Sequence, residues 1–210
     1  MLVRDRMSRN PITTYPKATA PDALKVMRAS KVRQLPVLND KGKLVGIVSL
    51  GDLLRASPSP ATSLSEYELG YLLEKLKVEK VMTTEVVTVS EDTAIEEAGR
   101  IMADKRIRGL PVMRDGVLVG IITESHLFKV LLELFGAHQS GVRVTAKTPL
   151  VKGGLAKLAT TIANLGGHFV AFGESMDDGT VTFKVSDVER EMLVKAIEPF
   201  MTDILDVRES

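Results

Sequence analysis

The chain has 210 residues, of which 44% are hydrophobic and 26% charged, an ordinary globular composition with length for one large or two smaller cores. A formal net charge of +1 gives no basic field for nucleic acid, and the lack of cysteine removes disulfides, thiol nucleophiles and cysteine–zinc sites together. His126, His138 and His168 lie too far apart for metal-ligand spacing, no apolar run approaches a membrane span, and residues 1–10 lack a signal-peptide core, so a cytoplasmic protein without metal, membrane or nucleic-acid contact is expected.

In chain order, Pro11–Thr14 is extended. A helical stretch, Ala23–Met27, follows, with Pro21 placed for its first turn; its later counterpart has Ala98, Ile101 and Met102 at helical spacing. Leu35–Leu38 and Leu44–Val48 read as short apolar strands around the turn signal Asn39-Asp40-Lys41-Gly42. A short helix from Asp52 to Arg55 closes this unit. Ser57–Ser63 is a loop by composition, and Leu69, Leu72, Leu73 and Leu76 mark one face of a linker helix.

The same order then returns. Met7 recurs as Met82, Pro11–Thr14 as Val86–Val89, and Ala23–Met27 as Ala98–Met102. Val32-Arg33-Gln34-Leu35-Pro36-Val37 recurs as Ile107-Arg108-Gly109-Leu110-Pro111-Val112, and Leu44–Ser49 as Leu118–Thr123. The offset is 75 residues early and 74 late, the missing residue falling where Asp40–Lys43 becomes Asp115-Gly116-Val117. Thr93 with Glu96 has capping-box spacing at the start of the second copy's first helix. His126–Leu134 closes the second copy. Each copy reads β-α-β-β-α, leaving an apolar sheet face that a second copy can cover.

Beyond Gly141 the pattern changes. Val142–Thr145 alternates as a strand, and Leu155, Leu158, Ala159, Ile162 and Leu165 form a helical stripe ended at Gly166-Gly167. His168–Phe172 and Val181–Val185 read as a hairpin around Asp177-Asp178-Gly179. Val188, Met192, Leu193, Ile197 and Phe200 suggest a second helix, and Ile204–Val207 a last strand. The order is βαββαβ, which is ferredoxin-like. The fold class is therefore α/β (α+β).

The repeated Arg-Gln-Leu-Pro-Val and Arg-Gly-Leu-Pro-Val, each followed by a turn, Leu-Val-Gly-Ile and Ser or Thr, resemble the CBS family, and two tandem copies resemble a Bateman module. The expected division is residues 1–56 for the first repeat, 57–77 for a linker with helix, 78–136 for the second repeat and 141–210 for the last domain. That domain resembles an ACT domain. The loop Leu150-Val151-Lys152-Gly153-Gly154-Leu155 keeps the Gly and Leu of that family's ligand motif but lacks its Asp and Pro, which argues against amino-acid binding. Gly153-Gly154 could hold an anion or simply shape the loop. The linker Arg55–Ser59 and the layout are also similar to acetoin-utilisation accessory proteins of the AcuB type.

The resemblance implies an adenosine ligand (AMP, ADP, ATP or S-adenosylmethionine type) as a regulatory ligand, with no catalytic cofactor. The first copy carries the family's ligand motif intact as Gly46-Ile47-Val48-Ser49-Leu50-Gly51-Asp52. A hydroxyl at a helix start suits a phosphate, and a carboxylate three residues on can accept two hydrogen bonds from ribose hydroxyls. By position, Ile47, Ser49 and Asp52 would be completed by Met82, Val87, Ile107 and Arg108 of the second copy, with Arg33 facing the phosphates. The second copy departs from the motif. His126 replaces the Asp and Glu124 adds negative charge, so Thr123, His126, Ile121, Met7, Ile12 and Val32 would form a weaker, empty or differently tuned site. Read without the motif, Asp52 is a helix N-cap, Arg33 and Arg108 are surface residues, and Met7 and Met82 are core fillers.

With no nucleophile–base pair, metal cluster or P-loop lysine motif, the chain reads as non-enzymatic, with no catalytic residues. The expectation is a homodimeric, allosteric adenine-nucleotide sensor that regulates an unknown partner protein. The alternative is an unliganded dimerisation or scaffold module.

Overall fold

A computed structural model describes residues 1–56, 75–148, 153–175 and 177–209. The Ser57–Ser63 loop, the linker-helix positions Leu69, Leu72 and Leu73, and loop residues Leu150, Val151 and Lys152 lie outside the described residues. The chain divides into two compact units, Met1–Leu127 and Phe128–Ser210.

In the first unit, α1 (Ala20–Ala29) starts on Thr19, whose hydroxyl accepts from the Asp22 N–H at 3.2 Å, with Pro21 in its first turn. The equivalent position of the second repeat is Ala94. Accordingly α3 (Ile95–Lys105) begins with no side-chain cap, and the expected Thr93–Glu96 capping box does not form. Thr93 sits one residue too early: its N–H donates to the Ser90 carbonyl and its own carbonyl accepts from the Val3 N–H. Apart from that difference the repeats match. The β2 (Gln34–Leu38) and β3 (Leu44–Ser49) hairpin leads into α2 (Leu50–Ala56). The β5 (Gly109–Arg114) and β6 (Val117–Thr123) hairpin leads into α4 (Glu124–Leu134).

The opening segment of each repeat is exchanged. The short strand β1 (Ser8–Arg9) pairs antiparallel with β6 of the second repeat. On the other side of the sheet β5 pairs in parallel with β4 (Val89–Ser90), giving the order β1-β6-β5-β4. The first repeat repeats this arrangement with single bridges: Thr83 to Ile47 on β3, and Thr14 to Val37 on β2. The exchange extends into the cores. Val3 and Met7 are buried with Ala98, Met102, Leu110, Val112 and Ile122 of the second repeat. Val78 is buried with Ala20, Met27, Leu35, Val48 and Leu53 of the first. Each fully buried aliphatic side chain contributes on the order of 1.5–3 kcal/mol, so each repeat's core depends on residues of the other.

In the second unit, β7 (Val142–Lys147), β8 (His168–Glu174), β9 (Thr180–Ser186) and β10 (Asp203–Glu209) form an antiparallel sheet of order β10-β7-β9-β8. With α5 (Gly154–Asn164) between β7 and β8 and α6 (Arg190–Ile197) between β9 and β10, this is the ferredoxin-like order. Its core gathers Val144, Leu158, Ile162, Phe183, Leu193 and Ile197, whereas Leu155 of the expected stripe is exposed. The hairpin turn uses Gly179 at φ +68°, a left-handed conformation that favours glycine. Among the described residues, no helix is long and apolar enough to cross a membrane.

Candidate functional site

Ser49 ends β3 and Asp52 lies in the first turn of α2, three residues on. Their side chains and backbones engage reciprocally. The Asp52 N–H donates to Ser49 Oγ at 3.2 Å, while Asp52 Oδ2 accepts from the Ser49 N–H at 2.9 Å and from the Ser49 hydroxyl at 2.6 Å. This is a capping box with Asp in the acidic position. The other oxygen, Oδ1, accepts from Arg55 Nη2 at 2.6 Å. The pair therefore acts as a helix cap, and the carboxylate is already oriented, with lone pairs to spare on Oδ1.

The second repeat reproduces this geometry with different chemistry. The Thr123 N–H donates to His126 Nδ1 at 3.1 Å, and the Thr123 hydroxyl lies 3.0 Å from the same nitrogen. A backbone N–H can only donate, so Nδ1 accepts and the imidazole carries its proton on Nε2, which faces Ser8 Oγ at 3.2 Å. Histidine thus preserves the cap with a single lone pair where Asp52 has four. Glu124, next to Thr123, lies 4.0 Å from the Arg108 guanidinium.

The other expected site residues divide by location. Ile47 on β3 exchanges both backbone hydrogen bonds with Thr83, and Met82 packs against Gly46, leaving no room there for a Cβ. Arg33 is exposed, and its carbonyl accepts from the Leu50 N–H at the start of α2. These residues therefore gather around Ser49 and Asp52. Val87 and Ile107 pack against the second repeat's core, and the Arg108 carbonyl accepts from the Glu124 N–H, so their contacts belong to the second repeat. On the second site's side, Ile121 pairs with Ser8 and Met7 packs against Gly120. Val32 packs on the first repeat's core, and Ile12 is exposed.

Sequence reasoning missed two contacts. Arg55 closes on Asp52, a pairing that the i,i+3 spacing of opposite charges signals. Ser8 meets His126 through an exchange of strands that no local pattern signals. A separate depression lies along Val89–Asp92 and Met113–Asp115. There the buried Glu91 carboxylate is held by Arg114, whose hydrogen bonds keep it below the usual glutamate range against the opposing effect of burial. Among the described residues, no group of three or more His, Asp or Glu is placed to hold a metal ion.

The CBS-domain family model matches residues 3–59 and 78–133, which are the two repeats. Three solved structures are similar. One, described as an acetoin utilization protein (AcuB) from Vibrio cholerae, is 33% identical with a TM-score of 0.54, over 66% of this chain and 95% of that one. CBSX2 in complex with AMP is 32% identical, with a TM-score of 0.53 over 63% and 97%. The CBS domain pair of protein MJ0100, in complex with 5′-methylthioadenosine and S-adenosyl-L-methionine, is 28% identical, with a TM-score of 0.53 over 66% and 98%. The tandem repeat, the exchanged opening segments and the family match over more than half its length agree: this chain belongs to the CBS-domain family, as a tandem CBS pair.

Proposed function

We propose that the chain is a cytosolic regulatory sensor that binds an adenosine ligand at the first repeat and transmits its occupancy to a partner enzyme or pathway. The observation that carries this reading is the Ser49–Asp52 unit: a buried-edge carboxylate, oriented by two donors, beside the Met82–Thr83 segment delivered by the other repeat. Ile47 and Arg33 border it, and Val87, Ile107 and Arg108, whose contacts lie in the second repeat, are assigned to it by their position in the family motif. The AMP complex of CBSX2 and the 5′-methylthioadenosine and S-adenosylmethionine complex of MJ0100 support an adenosyl ligand. The Thr123–His126 site is the weaker one. The ligand is regulatory, and the chain carries out no catalysis of its own.

We assign the Phe128–Ser210 unit to an ACT-like role in assembly, on its ferredoxin-like strand order. Exposed Phe128, Leu131, Leu134 and Phe135 support a homodimer, for which light scattering at micromolar concentration should give twice the chain mass.

A second reading is favoured by one observation: Asp52 is satisfied by Ser49 and Arg55 as a helix cap, which is all that a scaffold needs. A thermal-shift screen with AMP, ADP, ATP, adenosine and S-adenosylmethionine separates the two. A ligand at about 100 times its dissociation constant adds roughly 2.7 kcal/mol to stability. No shift with any of them leaves the scaffold.

A further inference from the structure

We infer that Arg55 is the residue that makes the first site select phosphate-bearing adenosine ligands over neutral or cationic ones. This rests on the nucleotide reading above and names the ligand class within it.

The argument starts from the proton count at Ser49. A hydroxyl has one proton, and Ser49 donates it to Asp52 Oδ2 at 2.6 Å while one of its lone pairs takes the Asp52 N–H. In this arrangement Ser49 has no donor left for a phosphate, and turning one toward it would give up the short bond to Asp52. Arg55 is in the opposite position. Its guanidinium has five N–H donors in a fixed fork, and among the described residues Nη2 donates to Asp52 Oδ1. Its side chain is 76% exposed, so most of the fork faces solvent.

Beside it there is room for a small group. A methyl group built on Gly51 would lie 3.4 Å from Arg55 Nη1 and 3.7 Å from Ser49 Oγ, at ordinary contact distance from both. The bare Gly51 therefore leaves a place bounded by a guanidinium and a hydroxyl, next to the carboxylate assigned to the ribose. A phosphate there would meet a fork of charge-assisted donors. Arg55 also neutralises Asp52 when the site is empty. A ribose approaching Oδ1 must share that oxygen with the guanidinium or displace it. A 5′-phosphate offers the displaced guanidinium a new partner; a neutral nucleoside offers none, and the sulfonium that S-adenosylmethionine carries on its 5′ carbon, in the phosphate's place, repels it.

The second repeat changes this device. Lys129 stands at the position of Arg55, keeping the charge without the fork, while Ser125 stands at the position of Gly51 and Glu124 places a carboxylate where the first repeat has Leu50. The two halves of the module thus present different donors and a different local charge to a ligand of the same shape.

Calorimetric titration of the full chain with AMP, adenosine and S-adenosylmethionine, for wild type, Arg55→Gln and Arg55→Lys, tests this. The first site's signal is the one weakened at least about tenfold in Asp52→Ala. In Arg55→Gln, AMP should weaken by about tenfold, the effect of losing one charge-assisted contact, while adenosine holds or tightens and S-adenosylmethionine tightens. Arg55→Lys should retain part of the AMP preference, because it keeps the charge and loses the fork. Equal weakening of AMP and adenosine would reduce Arg55 to a buttress for Asp52, and an unchanged AMP affinity would overturn the inference outright. Absence of binding by all three ligands to wild type would instead overturn the nucleotide reading, and this inference with it. Melting of each variant without ligand separates these outcomes from a folding defect.

Discussion

Met7 lies against Gly120, so closely that a Cβ on the glycine would collide with the methionine sulfur. The two residues belong to different repeats, and the Met82–Gly46 contact repeats the relationship in the other direction. The cores are exchanged in the same sense, since Val3 and Val78 are each fully buried in the core of the repeat they do not belong to. Val3→Ala should therefore cost about 2 kcal/mol and raise amide exchange in β5 and β6, whereas Val78→Ala should cost a similar amount and raise it in β2 and β3. Hydrogen exchange read by mass spectrometry distinguishes the two patterns. Loosening confined to the mutated residue's own repeat would contradict the exchange.

Asp52 should dominate ligand affinity. Asp52→Ala removes the acceptor of two Ser49 donors and of Arg55, together with the lone pairs assigned to the ribose. Hydrogen bonds to a charged group are each worth roughly 1.5–3 kcal/mol, so affinity for an adenosine ligand should fall at least about tenfold. His126→Ala should change it little. The cap is lost in both variants, at about 1 kcal/mol each, and their unliganded melting temperatures measure that cost separately. If His126→Ala abolished binding while Asp52→Ala left it intact, the two sites would have to be exchanged.

Glu91 makes the module acid-sensitive. The Arg114 hydrogen bonds hold its carboxyl below the ordinary glutamate value, with Arg4 and Arg9 adding favourable charge and burial opposing them. A depressed folded-state pKa contributes stability that is present above the unfolded value and is lost as pH falls through the folded one. The stability difference between wild type and Glu91→Gln should thus be constant near neutrality and shrink on acidification below about pH 4.5. Urea titrations across that range would show it. A difference that grew toward acid would mean that burial, and not Arg114, governs this group.

The repeat, its hairpins and the ferredoxin-like order of the last unit were legible because local chemistry specifies them. Leu35–Leu38 and Leu44–Val48 are apolar runs separated by a turn, and Gly166-Gly167 stops a helix with an apolar stripe. The exchange was not legible. Val3 follows Met1-Leu2, and Val78 stands beside Leu76, Val81 and Met82, but nothing in these short apolar clusters says which repeat's core will take them. The Thr93–Glu96 pattern misled for a related reason: the Thr93 carbonyl is drawn into a bond with Val3 of the exchanged segment, and the chain enters α3 one residue later. At the site, the Ser49–Asp52 spacing was readable, but the same spacing suits a helix cap and a ribose acceptor. Only the geometry shows that the cap is formed and where Arg55 lies.

His126→Asp should create a second binding site. His126 Nδ1 takes the Thr123 N–H and hydroxyl with a single lone pair, and Nε2 is turned to Ser8, so no acceptor is left for a ligand. An aspartate at this position can take both Thr123 donors on one oxygen, as Asp52 does with Ser49, and keep the other oxygen free. The contact with Ser8 is lost, but Ser8 is exposed and water can replace it. The probe should be adenosine and not AMP, because Glu124 sits beside the cap and would repel a phosphate. Calorimetry should then show the stoichiometry rising from one adenosine per chain to two, with the first site unchanged. A stoichiometry that stayed at one in a variant melting like wild type would mean that the second site is closed by something other than the chemistry of residue 126. The ribose-acceptor role assigned to Asp52 would lose its strongest internal comparison.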